Sequence, residues 1–167
     1  MKKPLSLRQA LTAALDAKHF ISQNQGSLLM VATDATMMAS GRPGAGFQYV
    51  YTLQISLLDF AGDPTEVTIP LLLWLERYQH ELLASPEAAA QGIRITFEFL
   101  DDSKYDIHVD LKLTEAVAFT PREGGGHDAV FRDEPLPMAL EQGSPLHAIF
   151  LNGELLLHCT AHPDLGN

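Results

Sequence analysis

The residues best suited to chemistry in this 167-residue chain lie near its C-terminus. His158, Cys159 and His162 fall within one short segment, and His147 stands opposite His158 if the chain between them folds as a hairpin. Imidazole and thiolate groups at such spacing are zinc ligands. Side chains alternate between faces along a strand, however, so Cys159 points away from His158. The set reads more simply as two stacked surface histidines, with Cys159 a small buried thiol that has no local base. Gly124, Gly125 and Gly126, followed by His127 and Asp128, have the composition of a phosphate-cradling loop. Such loops take their donors from a following helix N-terminus. Here a strand-like run follows, so the glycines read as a hairpin tip. Asp101 with Asp102, and Asp59 with Asp63, are carboxylate pairs of the kind that move protons or hold a divalent cation. Both pairs fall in turns, where aspartate stabilises the backbone by itself. No serine sits in a nucleophile-elbow pattern. The residues therefore assign no catalytic, cofactor-binding or metal-ligating site, and the expectation is a protein that is not an enzyme.

The elements around these residues are better specified than any site. Ser6 to His19 reads as a helix, with capping-box spacing between Ser6 and Gln9 and with Leu7, Ala10, Leu11, Ala14 and Leu15 on one face. Leu28 to Thr33 and Thr36 to Ser40 read as two short strands around an Asp34-Ala35 turn. Gly41 to Gly46 is a loop by composition. From Phe47 to Leu57 apolar and polar residues alternate, the mark of a long half-buried strand. A Gly-Asp-Pro turn ends it. A helix is predicted from about Ile69 to Ala84, with Thr68 as its cap and Pro70 in its first turn. Its apolar residues, including Leu71, Trp74, Leu75 and Tyr78, cover nearly three sides, so the sheet alone cannot bury them. Trp74 is most simply a core residue, with an interface role second.

A short helical turn is predicted from Ser85-Pro86 to Ala90. Strands follow at Ile93 to Leu100 and Tyr105 to Leu113, then a hairpin between Ala116–Phe119 and Ala129–Phe131. Four breakers, Pro135, Pro137, Gly143 and Pro145, mark a linker. Beyond it Asn152-Gly153 separates two apolar runs, a strong two-residue hairpin signal. In that register Phe150 faces Leu155, Ala148 faces Leu157 and Ile149 meets Leu156. Both faces are apolar, and a lone hairpin is marginal in water, so the ribbon is expected to dock on its own domain or on a neighbouring copy. The organisation predicted is an α+β core at residues 1–131, a linker at 132–145 and a hairpin arm at 146–167. The sheet is mainly antiparallel or mixed, packed by two or three helices. The expected oligomer interface is Trp74, Tyr78, Ile149, Phe150, Leu151, Leu155, Leu156 and Leu157.

Composition narrows the function classes. Apolar residues make up 46% and charged residues 19%, as in a globular protein. A chain of this length buries roughly two-thirds of its unfolded surface, enough for a core without staples. The 21 acidic against 11 basic residues give a net charge of -10, which disfavours nucleic acid and anionic membranes as partners. Proteins are the expected partners. One cysteine excludes an internal disulfide framework and fits a reducing compartment. Arg8, Gln9 and Asp16 interrupt the N-terminal segment, so it does not read as a signal peptide. No apolar run approaches the ~20 residues of a membrane helix.

Five segments carry a family resemblance: SLRQALTAAL, FQYVYTLQISLLDFAGDP, VTIPLLLWLERYQ, GIRITFEFLDDSKYDIHVDLKLTE and, after the proline-rich spacer, LNGELL. Each is weak alone. Their order and spacing together resemble the tail-completion protein R (gpR) family of peduovirus-type contractile-tailed phages and related prophages. The main departure is at Met37 to Gly46. The resemblance implies a structural virion protein with a tail-terminator-like α/β fold. It implies a location in the tail, after assembly from the host cytoplasm, at the head-proximal end, where growth of the tube stops and the joint to the capsid is prepared. It implies as partners further copies of the chain in a ring, commonly six-fold, the tail tube protein and head–tail connector or neck proteins. It implies no cofactor, no membrane and no sequence-specific nucleic acid. The alternatives are a neck or baseplate adaptor and, on the histidines and Asp-rich turns, a small metal-dependent enzyme.

Overall fold

A computed structural model describes residues 1–16, 21, 26–39, 41–42, 46–101, 103–132, 148–151 and 153–158. Helix α1 (Lys3–Asp16) begins three residues before the predicted start. Pro4 is tolerated there because first-turn donors have no intrahelical partner. Leu7, Leu11 and Leu15 recur at helical spacing and are buried.

Strand β1 (Leu28–Ala39) is one element where two strands and a turn were predicted. Asp34 adopts a left-handed backbone (φ 52°), which aspartate tolerates better than most residues. It forms a bulge with Ala35 between the Thr33–Thr52 and Thr36–Val50 pairs, and pairing resumes beyond it. Strand β2 (Phe47–Phe60) follows. Gly46 lets it start hard against the sheet: a Cβ there would lie 2.1 Å from the Val117 carbonyl oxygen, and φ is 70°.

Helix α2 (Thr65–Tyr78) starts four residues before the predicted helix and ends six before. Asp63, rather than Thr68, supplies the cap, its Oδ1 accepting from the Thr65 N–H at 2.9 Å. Pro70 therefore lies in the second turn and removes one backbone hydrogen bond. Gln79 leaves helical geometry, and the chain continues as a 3-10 turn over His80–Leu83. Helix α3 (Pro86–Gly92) is capped by Ser85, whose Oγ accepts from the Ala88 N–H at 3.1 Å. Strands β3 (Ile93–Phe99), β4 (Tyr105–Pro121) and β5 (His127–Phe131) complete the main sheet.

The sheet is antiparallel in the order β1-β2-β4-β3, with β5 on β4. Val117 pairs with both Phe47 and Phe131, so β5 lies along the same edge of β4 as β3, further down the strand. One face of the sheet carries Tyr51, Leu53, Ile55 and Leu57 from β2 and Ile107, Val109, Leu111 and Leu113 from β4. Helices α1 and α2 pack on that face in a single core. Each such side chain contributes roughly 1.5–3 kcal/mol by leaving water. The apolar side of α2 that the sheet does not bury is met by α1. The opposite face, with Gln54, Ser56, His108, Asp110 and Lys112, is polar and partly or fully exposed.

The C-terminal ribbon is present as β6 (Ala148–Leu151) and β7 (Glu154–His158), a separate two-stranded sheet. Gly153 takes the left-handed backbone its turn needs (φ 87°). Phe150 pairs with Leu155 as predicted, but a bulge places Ile149 opposite Leu157 and Ala148 opposite His158. Except for Arg132, the predicted linker lies outside the described residues.

Candidate functional site

Most of the chemistry suggested by sequence resolves into local structure. Asp101 Oδ1 accepts from the Ser103 N–H at 2.7 Å, the Ser103 hydroxyl at 2.8 Å and the Lys104 N–H at 2.8 Å. These donors, the Ser103 amide foremost, hold its carboxyl below the usual range. Asp63 caps α2. Asp59 sits in a second bulge (φ 55°) and its N–H donates to Asp106 Oδ1 at 2.8 Å. Gly124, Gly125 and Gly126 all have positive φ in the β4–β5 turn, and His127 begins β5. Asp102, His147, Cys159 and His162 lie outside the described residues. Among the described residues no three His, Cys, Asp or Glu side chains converge as metal ligands.

One constellation escaped sequence reasoning. On the open sheet face Ser56 Oγ lies 3.0 Å from His108 Nδ1, and His108 Nε2 lies 3.7 Å from Glu98 Oε2. Ser, His and Glu in a row are the side chains of acyl transfer. Their backbone denies that role. Ser56 is mid-strand, paired to Leu29 on one side and His108 on the other. Its ladder occupies the backbone donors that an oxyanion hole requires. The three residues come from β2, β4 and β3, so only the register of three strands brings them together.

A second unpredicted group is buried. The Lys3 backbone N–H donates to Glu115 Oε1, and Lys3 Nζ donates to Gln79 Oε1 at 2.8 Å. Gln79 Nε2 donates to Thr114 Oγ1 at 3.3 Å, and Gln79 Oε1 accepts from the Thr114 N–H at 3.1 Å. This group ties the start of α1 and the end of α2 to β4. Nearby Tyr51 has a buried hydroxyl with no protein partner, as does the second oxygen of Glu115. Burial, and then the Glu115 charge, push the Tyr51 phenol well above its ordinary value. The group is built to hold elements in place.

The residues predicted for an oligomer interface fall into two groups. Trp74 is 4% exposed, its Nε1 donating to Ser6 Oγ at 3.0 Å. Its ring stacks on Tyr78 at 5.2 Å, and Tyr78 in turn lies beneath the Arg77 guanidinium. Trp74 is thus covered within one chain. In the ribbon, Phe150 is 63% and Leu155 44% exposed, while Ile149 and Leu151 are partly buried. Leu156 and Leu157 belong to β7. Further apolar surface was not anticipated: Leu29, Val31, Met37 and Met38 on β1, and Phe97, Phe99 and Leu100 at the end of β3. Exposed apolar side chains clustered in this way mark interaction surfaces.

No solved structure matches the chain. The curated tail completion protein R of Escherichia phage P2 is 29% identical over 156 residues, covering 93% of this chain and 97% of the phage protein. The sequence model of the P2 phage tail completion protein R (GpR) family matches residues 1–135, from α1 through the five-stranded sheet. The chain therefore belongs to the tail completion protein R (GpR) family of structural phage-tail proteins.

Proposed function

We propose that this chain ends the phage tail at its head-proximal end, where copies of it form a ring on the tube and offer a surface to the head-side connector. Similarity to the P2 tail completion protein along nearly its whole length carries this reading. The geometry agrees with a role in assembly. The Ser56, His108 and Glu98 row lies mid-sheet, where the strand ladder occupies the backbone donors, whereas apolar side chains stand exposed on β1, at the end of β3 and on the ribbon. Partners in this reading are further copies of the chain, the tail tube protein and the connector. The protein enters the virion tail from the host cytoplasm. Residues 1–131 act as the core and 146–167 as an arm joined by 132–145. The net charge of -10 suits a ring that DNA must pass without adhering.

Deletion of the gene from a phage or prophage that carries it tests the proposal. Electron microscopy should show tails of unregulated length or tails without heads, restored by the gene in trans. Normal virions from the deletion would refute it.

A further inference from the structure

The main sheet has three outer strands, and they differ in how they are protected. Strand β3 carries Arg94 and Glu98, and β5 carries His127 and Asp128. Charges of this kind keep edges from pairing with other chains. Between β3 and β5 the edge of β4 is closed by the Gln79 side chain. Strand β1 has one such device, at its start, where Arg8 Nη1 donates to the Leu28 carbonyl at 3.2 Å. From Leu29 to Thr33 the strand reads LMVAT, five residues without a charge, and among the described residues no other strand pairs with its outer side. Leu29 and Val31, which point to the open sheet face, are 47% and 56% exposed.

The ribbon has the opposite need. Strand β6, AIFL, is also uncharged and, among the described residues, pairs only with β7. Phe150 and Leu155 form a cross-strand pair that faces solvent, and an isolated two-stranded ribbon is marginal in water. Its four residues fit within the five, Leu29 to Thr33, that β1 offers between the Arg8 contact and the Asp34 bulge. The overall charge of -10 opposes contact between copies, and neither of these two segments carries a charge.

We infer that β6 of one copy adds to the outer edge of β1, at Leu29–Thr33, in a neighbouring copy. The inference rests on the reading of this chain as a self-assembling tail component and names the two surfaces that meet. Strand addition satisfies the backbone groups of β1 by main-chain hydrogen bonds and places Phe150 and Leu155 beside Leu29 and Val31. A neighbouring copy is the occupant because the ribbon of the single chain forms a sheet of its own although its tether is long enough to reach β1. Residues 133–147 can span up to about 50 Å, whereas crossing the sheet from β3 to β1 takes about 15 Å. The joined surfaces are different, so the contact is heterologous and propagates head to tail, the geometry that closes rings.

A photo-crosslinking residue at Phe150 tests this. Full-length protein carrying it is mixed with nitrogen-15-labelled protein that lacks it. The mixture is irradiated both at high concentration and after addition to tails made without the protein. The expected product joins position 150 to a labelled peptide containing Leu29–Thr33. A cross-link to the unlabelled β1 alone would show that each ribbon serves its own chain and overturn the inference. A cross-link to β3, β5 or another tail protein, or none in either setting, would overturn it as well. The half-exposed Val31→Lys change should abolish the cross-link with an unaltered thermal midpoint, and persistence of the cross-link would count against the pairing. A normal phage from the gene deletion would refute the tail role separately, because the cross-link in concentrated protein does not depend on it.

Discussion

The side chain of Gln79 serves as a surrogate strand for Thr114. Its Oε1 accepts from the Thr114 N–H at 3.1 Å and its Nε2 donates to the Thr114 hydroxyl at 3.3 Å, in the gap on β4 that neither β3 nor β5 reaches. Gln79→Ala strands a buried backbone donor and removes the acceptor of the Lys3 ammonium bond. The expected loss is about 1–3 kcal/mol, read as a lower urea midpoint.

Tyr51 gives the fold a weakness in alkali. Its phenol titrates above the ordinary value because burial and Glu115 disfavour the phenolate. In the folded state it therefore keeps its proton where the unfolded chain releases it. The sign follows: the contribution is fully present below about pH 10, the unfolded value, and is lost as pH rises further. The urea midpoint should fall between about pH 9 and about pH 11, and the fall should be smaller in Tyr51→Phe. The same variant removes an unpartnered buried hydroxyl, so near neutral pH it should be as stable as the parent or slightly more so.

Trp74 joins α2 to α1 through Ser6 and is the sole tryptophan, which makes it a reporter of that joint. Its fluorescence should be blue-shifted in the native protein and should red-shift in one cooperative step on unfolding. Trp74→Ala should cost about 3–5 kcal/mol in denaturant titrations. A native emission typical of exposed indole would contradict the packing.

Phe99 is 77% exposed, although its ring lies 5.6 Å from that of Tyr105. Phe99→Asp should shift stability by no more than about 0.5 kcal/mol. If the patch at the end of β3 meets another tail component, the variant should impair tail completion while its melting temperature stays the same.

Removal of residues 136–167 separates the arm from the core. The truncated chain should keep the cooperative unfolding and tryptophan emission of the parent, because among the described residues every member of the buried core precedes the cut. Light scattering should report weaker self-association, and the tail completion assay should fail. An unchanged oligomer mass would contradict the role given to the arm.

Local pattern made much of the fold legible. The alternation from Phe47 to Leu57 marked the buried face of β2, and Asn152-Gly153 marked the ribbon turn. The boundaries of α2 were displaced because its cap came from Asp63 and its end from the needs of Thr114, a strand residue distant in sequence. The break expected at Asp34-Ala35 became a bulge because pairing with β2 carries β1 through it. Ser56, His108 and Glu98 gave no signal at all. They are scattered along the chain, and their grouping on an open face exists only through strand register.

The sequence by itself determined which segments become helix or strand and which of their faces is apolar, because these follow from side-chain periodicity of nearby residues. It also carried the family, through the order of its segments. The tertiary structure alone decided that Trp74 is spent inside one chain while β1 and the ribbon keep open edges. Burial and edge pairing depend on which distant elements arrive to cover a surface, and no local spacing records that.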